Sequence, residues 1–424
     1  MENIIDFCVE LSRRMIVSGA NLERVQRALD RICTSYGVED KSVFLMSGYI
    51  SMAGKLQDGT YVSRQAAIPT PDNHLQRLKQ LNRLCYRIVE APPDPGMLGR
   101  ILDEASCVKE VYPDWVIDAA QIMSLSCVCL LFGGGPGEVV TVMAIVFSLQ
   151  RLLKLISRAG LDQVVVNVLT MAFAAGLSYL IMTDFGLDIP VVLITISIMV
   201  IPGITLVNAV RNLLCGNEMN GIIQLLRVAI ETEALAFGII IVFWITGLQA
   251  EITEMMVSGP TQPVLLIILA FVISVCTGIT FHIPPHDLFF AGLGGAISRI
   301  TLILITVTVK NPMAYAGIAA LIAALYAEYL ATRRQDPSTY FVYPSILPMI
   351  PGGTFYYSAI GLYAGNVEMF ETNGKECILT LIGMSIGFVF SSIIAHYARK
   401  MKYHDQLANQ LTEEYNGSGR KYSS

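Results

Sequence analysis

The strongest constraint on the fold lies between residues 118 and 399, where one long apolar run follows another. A helix that crosses a bilayer needs about 20 mostly apolar residues. Its backbone polar groups must be satisfied inside the protein, because lipid offers them no partner. Ten stretches meet that length: 118–134, 138–155, 162–182, 188–212, 226–247, 263–282, 286–306, 312–332, 339–362 and 376–398. The whole chain is 15% charged, against about 25% for an ordinary soluble protein. The deficit is uneven, since residues 1–115 hold about half of the Lys and Arg. The expected partner is therefore a lipid bilayer, with a small soluble domain ahead of the spans.

Charge also sets the expected orientation. With the N-terminus inside, the inner segments carry Arg151, Lys154, Arg158, Arg211, Arg227, Arg333, Arg334, Arg399, Lys400 and Lys402, and the outer loops carry Lys310 and Lys375. That bias favours an even number of spans with both ends cytoplasmic. The opening MENIIDFCVELSRR has no basic n-region and no unbroken apolar h-region, so no signal peptide is expected. A formal charge of -5 without a basic block argues against nucleic acid as a partner. Nine cysteines are scattered without a C-x-x-C or Cys/His cluster, which argues against zinc or a disulfide framework.

Two apolar runs contain the same interruption. I-P-G-I-T stands at 201–205 and I-P-G-G-T at 350–354, 149 residues apart. Further echoes share nearly that spacing: C-G-N at 215–217 with A-G-N at 364–366, Pro136 with Pro285, and Tyr179-Leu180 with Tyr329-Leu330. The repeat unit spans five helices. Five is odd, so the second copy enters the membrane from the opposite side. The expected fold is an α-helical polytopic membrane protein of ten transmembrane helices in two inverted five-helix repeats, preceded by a small α/β cytoplasmic domain. The expected boundaries are 1–115 for the cytoplasmic domain, 116–250 and 251–400 for the repeats, and 401–424 for a polar cytoplasmic tail. Inverted repeats with broken helices are a recurring plan of secondary transporters, with the substrate site near the midplane.

That plan assigns the breaks a chemistry. Pro202 and Pro351 disfavour helix at the residue before them and suit the first position of a new one. Gly203, Thr205, Gly352, Gly353 and Thr354 then present backbone N–H groups at half-helix N-termini, which attract anions such as carboxylate. Asn208 lies five residues past Gly203, and Tyr357 is its counterpart 149 residues on. Both are expected to contact a small-molecule substrate. The alternative is a proline kink used for packing.

Ionisable residues inside spans are costly and call for a functional explanation. Glu231, Glu233, Glu328 and Arg299 are the candidates here. They are expected either to carry a coupling proton or to form a structural ion pair, for example Arg299 with a glutamate. His282, His286 and Asp287 suggest a metal by spacing, but Pro284 and Pro285 break the helix that would align them. No metal and no cofactor is expected. G-M-S-I-G at 383–387 matches a nucleophile elbow, which needs a strand-to-helix turn. Inside an apolar span it reads instead as a packing face of small residues, and no catalytic residue is assigned.

Residues 3–17 and 21–36 have helical spacing, with S-G-A-N between them as break and N-cap. Residues 42–55 and 60–68 read as two strands joined at L-Q-D-G-T, and 74–90 and 96–109 return to helix. An enzyme housed in residues 1–115 could recruit Ser18, Glu23, Asp30 or Asp40, yet these form no recognisable constellation. A regulatory or oligomerisation module, hence a homo-oligomer, is the stronger reading of this domain.

SGANLERVQRALDRICTSYG at 18–37 and IPGITLVNAVRNLLCGNEMNG at 201–221 resemble the threonine/serine exporter family. YPSILPMIPGGTFYYSAIGLYAGN at 343–366 resembles its companion module, which some bacteria encode separately. The chain resembles a fused form over nearly its full length. The resemblance implies a bacterial inner-membrane exporter of threonine and serine driven by protons, with small organic acids such as dicarboxylates as alternative cargo. Asn212 and Asn217 stand where Asp is common in the family, which bears on substrate and coupling.

Overall fold

A computed structural model describes residues 4–46, 48–56, 58–69, 71–108, 110–156, 160–185, 189–200, 203–214, 216–247, 262–334 and 336–421, excluding the side chains of 182–185, of 396 and beyond 398. The N-terminal region opens on α1 (Ile4–Val17) and α2 (Leu22–Ser35). Gly19 takes the left-handed conformation between them, with φ 95°. Asn21 then caps α2, its side chain accepting from the Glu23 N–H at 3.0 Å. Both features are the helix-stop and helix-start chemistry expected of S-G-A-N.

Three strands follow, β1 (Glu39–Met46), β2 (Tyr49–Lys55) and β3 (Tyr61–Ala67), antiparallel in that order. The sequence reading of 42–55 as one strand is corrected here, because a turn at Gly48 divides it into β1 and β2. The expected hairpin between β2 and β3 forms, with Gly59 at φ 84°. Helices α3 (Leu75–Glu90) and α4 (Leu98–Ser106) complete the region. Phe7, Leu11 and Met15 of α1, Leu29 and Ile32 of α2, Met52 of β2, and Leu78 and Leu81 of α3 are all buried in one core.

The remaining helices are α5 (Asp114–Leu131), α6 (Pro136–Ile156), α7 (Gln163–Phe185), α8 (Ile189–Val200), α9 (Gly203–Leu214), α10 (Glu218–Thr246), α11 (Pro263–Thr280), α12 (Pro285–Thr308), α13 (Pro312–Arg334), α14 (Thr339–Ile346), α15 (Gly352–Tyr363) and α16 (Val367–Lys421). Among the described residues, eight helices are long and apolar enough to cross a membrane, and α8 with α9 makes a ninth if that bent pair is one span. The expectation of ten spans is revised to eight or nine. The stretch 339–363 falls short because it is divided into an eight-residue helix, a 3-10 turn at Leu347–Met349, and α15. Trp115 at the start of α5 and Trp244 near the end of α10 are largely exposed, as in an aromatic belt at the lipid surface.

Helix boundaries recur with one displacement. The bounds of α5 and α11, α7 and α13, and α9 and α15 each differ by 149 residues at both ends, as do the starts of α6 and α12 and of α10 and α16. Backbone details follow suit. Gly133 and His282 both have positive φ, as do Gly216 and Gly365. The closing bonds Gly134 N–H to Cys129 O and Ile283 N–H to Gly278 O correspond in the same way. The echo seen in a few residues thus extends to where helices begin and end.

The G-M-S-I-G segment packs as expected of a small-residue face. A Cβ on Gly383 or Gly387 would strike the backbone of α13 at Met313 or Gly317. Ser385 is fully buried and donates to Leu381 O at 2.8 Å. The Val207 carbonyl of α9 lies 3.4 Å from the same hydroxyl, so its proton is shared among backbone acceptors.

Candidate functional site

The two proline-glycine breaks meet each other. A Cβ on Gly203 would lie 2.8 Å from Ile350 Cγ2, and one on Gly352 would lie 2.8 Å from Ile198 Cγ1. Each glycine admits an isoleucine from the run that precedes the other break. The absence of a side chain is thus a requirement of close approach. Helices α8 and α9 bend by 58° at the first break, the behaviour expected of a Pro-Gly interruption. Pro202 lies outside the described residues.

At the second break, Pro351 is the N-cap of α15 and no side chain caps the helix. Gly352 N–H bonds Ile350 O at 2.8 Å, and Phe355 N–H bonds Pro351 O at 3.1 Å. Between them, the N–H groups of Gly353 and Thr354 stand in the first turn, where a helix offers no internal acceptor. Thr354 Oγ1 donates to Pro351 O at 3.0 Å, and a Cβ on Gly353 would lie 3.0 Å from Phe132. Thr205 is half-buried on the first turn of α9. Two helix N-termini therefore converge, with Ile198 and Ile350 occupying the space between them.

The two proposed side-chain contacts have different neighbours. Asn208 Nδ2 donates to the Tyr343 hydroxyl at 3.3 Å, and that hydroxyl donates to Gly19 O at 3.3 Å. Tyr357 instead sets its ring edge-on to Tyr356, 5.6 Å away. Among the four ionisable candidates, Glu231 pairs with Arg227 at 2.8 Å, one turn earlier on α10, and Glu233 is hydrogen-bonded by Tyr363. Glu328 is half-buried on α13. Arg299 Nε is buried with no hydrogen-bond partner among the described residues. An ion pair for Glu231 is thus found, with Arg227 as the partner.

Sequence reasoning missed a dense charged cluster among the described residues. Asp287, at the start of α12, is fully buried. It meets Lys79 of α3 at 3.1 Å, the Tyr340 hydroxyl at 2.9 Å, and the Arg334 guanidinium. Lys79 also reaches Asp336 at 2.8 Å, and Arg83 reaches the same carboxylate at 3.4 Å. His286 touches Asp287 at 3.3 Å, while His282 stacks on His74 with ring centroids 4.2 Å apart. The contacts of these histidines are thus a ring stack and a carboxylate neighbour, and no group of three His, Cys, Asp or Glu converges among the described residues. The cluster ties the N-terminal region to the ends of α12 and α13. A single basic residue on α3 gave no signal that two acids 208 and 257 residues away would close on it.

Comparison with known proteins bears on the whole chain. The sequence model of the family described as "Putative threonine/serine exporter" matches residues 6–246. That of "Threonine/Serine exporter, ThrE" matches residues 266–394. The "Probable threonine/serine exporter" of Mycobacterium tuberculosis (strain ATCC 25618 / H37Rv) is 24% identical over 409 residues, covering 92% of this chain and 76% of that protein. No solved structure matches the chain.

Proposed function

The chain belongs to the threonine/serine exporter family and carries both of that family's modules, and from that premise we propose a proton-coupled secondary carrier that exports threonine and serine from the bacterial cytoplasm. The observation that carries this reading is the apposition of the two breaks through Gly203–Ile350 and Gly352–Ile198. Two half-helix N-termini aimed at one place suit a carboxylate. Discontinuous helices at such a place are how carriers of this architecture hold substrate. The constant displacement of helix boundaries supports two five-helix repeats of opposite orientation, with α14 and α15 as the broken counterpart of α8 and α9. The isoleucines now between the breaks must withdraw before substrate enters, so the arrangement described is a closed one. Glu231, Glu233 and Glu328 are the candidate proton carriers, and Arg299 is a candidate anion partner within the bilayer. Asn208 and Tyr357 are assigned to opposite ends of the substrate path.

The test is efflux of labelled threonine and serine from proteoliposomes, beside alanine and dicarboxylates. Export of the hydroxy amino acids is expected, slowed about tenfold or more when a protonophore collapses the gradient. No efflux with or without a gradient overturns the reading, and efflux of dicarboxylates alone reassigns the substrate. Ser385→Ala should export at the parent rate, and loss of export in a folded variant would reopen an enzymatic role for that serine.

A further inference from the structure

The N-terminal domain holds the two halves of the membrane region together at one end. Against the second half the contact is extensive and buried. The domain's apolar core continues without a break into Ile283, Ala291, Ala327, Leu330, Tyr340 and Phe341. Leu75 N–H bonds Phe281 O at 3.1 Å, the Tyr112 hydroxyl bonds Ile283 O at 2.7 Å, and Arg24 bonds Ser338 at 3.0 Å. The charged cluster of Lys79, Asp287, Arg334 and Asp336 lies in the same interface.

Against the first half the contact is thinner and wetter. Glu23 and Arg211 are 3.9 Å apart, and the Glu23 side chain is 46% exposed. Asn220 donates to the Leu45 carbonyl at the edge of β1, at 3.0 Å. Ile204, next to the first break, is half-buried against the domain's core. Where these surfaces join, Tyr343 from the second half bridges Asn208 of the first half to Gly19 of the domain. The opposite seam differs in kind. There Tyr356 and Ile360 of α15 join Val191, Val192 and Ile194 of α8 in an apolar core.

We infer that the N-terminal domain is a gate built onto the second half, and that the seam which opens for substrate is Glu23–Arg211 together with Gly19–Tyr343–Asn208. A rigid body fixed to both halves forbids them to separate at its own end, so loading from that end requires one attachment to release. Hydrated ion pairs and single hydrogen bonds are worth far less than a continuous buried core, so the first-half attachment releases. Release would uncover Asn208 and, one and a half turns further in, the Gly203 end of α9. Shear between packed bodies with two discrete arrangements is an ordinary route for such motion.

The inference rests on the exporter reading, and its test separates the two. Glu23→Cys with Arg211→Cys is made in a background of Cys107→Ser and Cys215→Ser. A short bifunctional thiol reagent that a reductant cleaves then bridges the pair. Bridging should lower threonine efflux about a hundredfold, with recovery on reduction and little effect from the monofunctional reagent. Undiminished efflux from bridged protein overturns the gate. If the unbridged protein exports nothing and the parent protein, with both residues intact, exports nothing either, the exporter reading has failed instead. The gate is then decided by amide hydrogen exchange over residues 203–208: slowing of about tenfold or more on bridging supports it, and an unchanged rate overturns it.

Discussion

Replacing Gly203 or Gly352 with leucine is expected to abolish threonine export while leaving the protein folded in the membrane. The first added carbon alone would lie 2.8 Å from Ile350 or Ile198, inside the distance at which carbon atoms repel. In each case the struck atom is one bond from Cβ, so only a change of χ1 could move it, and χ1 of a β-branched residue is stiff. Overpacking of this kind costs about 1–3 kcal/mol, which a membrane protein of this size tolerates. A carrier that must pass through the same contact at every cycle does not tolerate it. Alanine at either glycine should slow export about tenfold, a factor worth 1.4 kcal/mol. Pairing separates a specific contact from general loss of glycine. Gly203→Ala should be rescued by Ile350→Ala and not by Ile198→Ala, while Gly352→Ala should show the reverse preference. Residues in direct contact couple in such cycles, and distant ones add. Equal rescue by both isoleucine variants, or none by either, would show that the breaks only bend their helices.

The breaks were legible because proline and glycine in a lipid-spanning run have few explanations, and because spacing is preserved however the chain folds. The same logic located α11 to α13 within two or three residues. Asn208 and Tyr357 hold equivalent places on α9 and α15, and those helices start from apposed ends. Their surroundings differ, since Asn208 bonds the Tyr343 hydroxyl and Tyr357 meets the Tyr356 ring. The divided strand was missed for a local reason. Gly48 stands without the Asn-Gly or Asp-Gly signature that marks a tight hairpin, and its flanks remain strand-like on both sides. The ion pair of Glu231 is local, since Arg227 lies one turn away at the i,i+4 spacing that favours such pairs. The cluster around Asp287 was beyond reach, because its members become neighbours only when α3 docks on the far half of the chain.

That cluster carries the second large effect, which is expected on docking of the domain. Lys79 is 9% exposed and Asp287 fully buried, and the cation also lies 4.8 Å from the Tyr340 ring centre. Two carboxylates, Asp287 and Asp336, face two buried or half-buried cations, Lys79 and Arg334, with Arg83 at the exposed rim. Lys79→Met keeps most of the stem that packs against the helices and removes the charge. It leaves the buried Asp336 carboxylate with only the half-exposed Arg83 at 3.4 Å as its cation, and loss of one partner of a buried ion pair costs up to about 3–5 kcal/mol. Protease cleavage of the 107–113 linker, measured at pH 7.5, should then accelerate about a hundredfold or more. Adding Asp336→Asn removes the other member of the Lys79–Asp336 pair and should recover most of the protection, since removing both members of a buried pair is far milder than removing one. The pH matters because burial, with repulsion from His282, pushes the His74 imidazole down to about 4 from its usual 6.5. The neutral form is the one that stacks, so this contribution is complete above about pH 6.5 and is lost as the pH falls toward 4. Above that window only the lysine is being tested. Parent-like protection of Lys79→Met would mean that the domain is held by its apolar core alone, and the charged cluster would then have no part in keeping it on the second half.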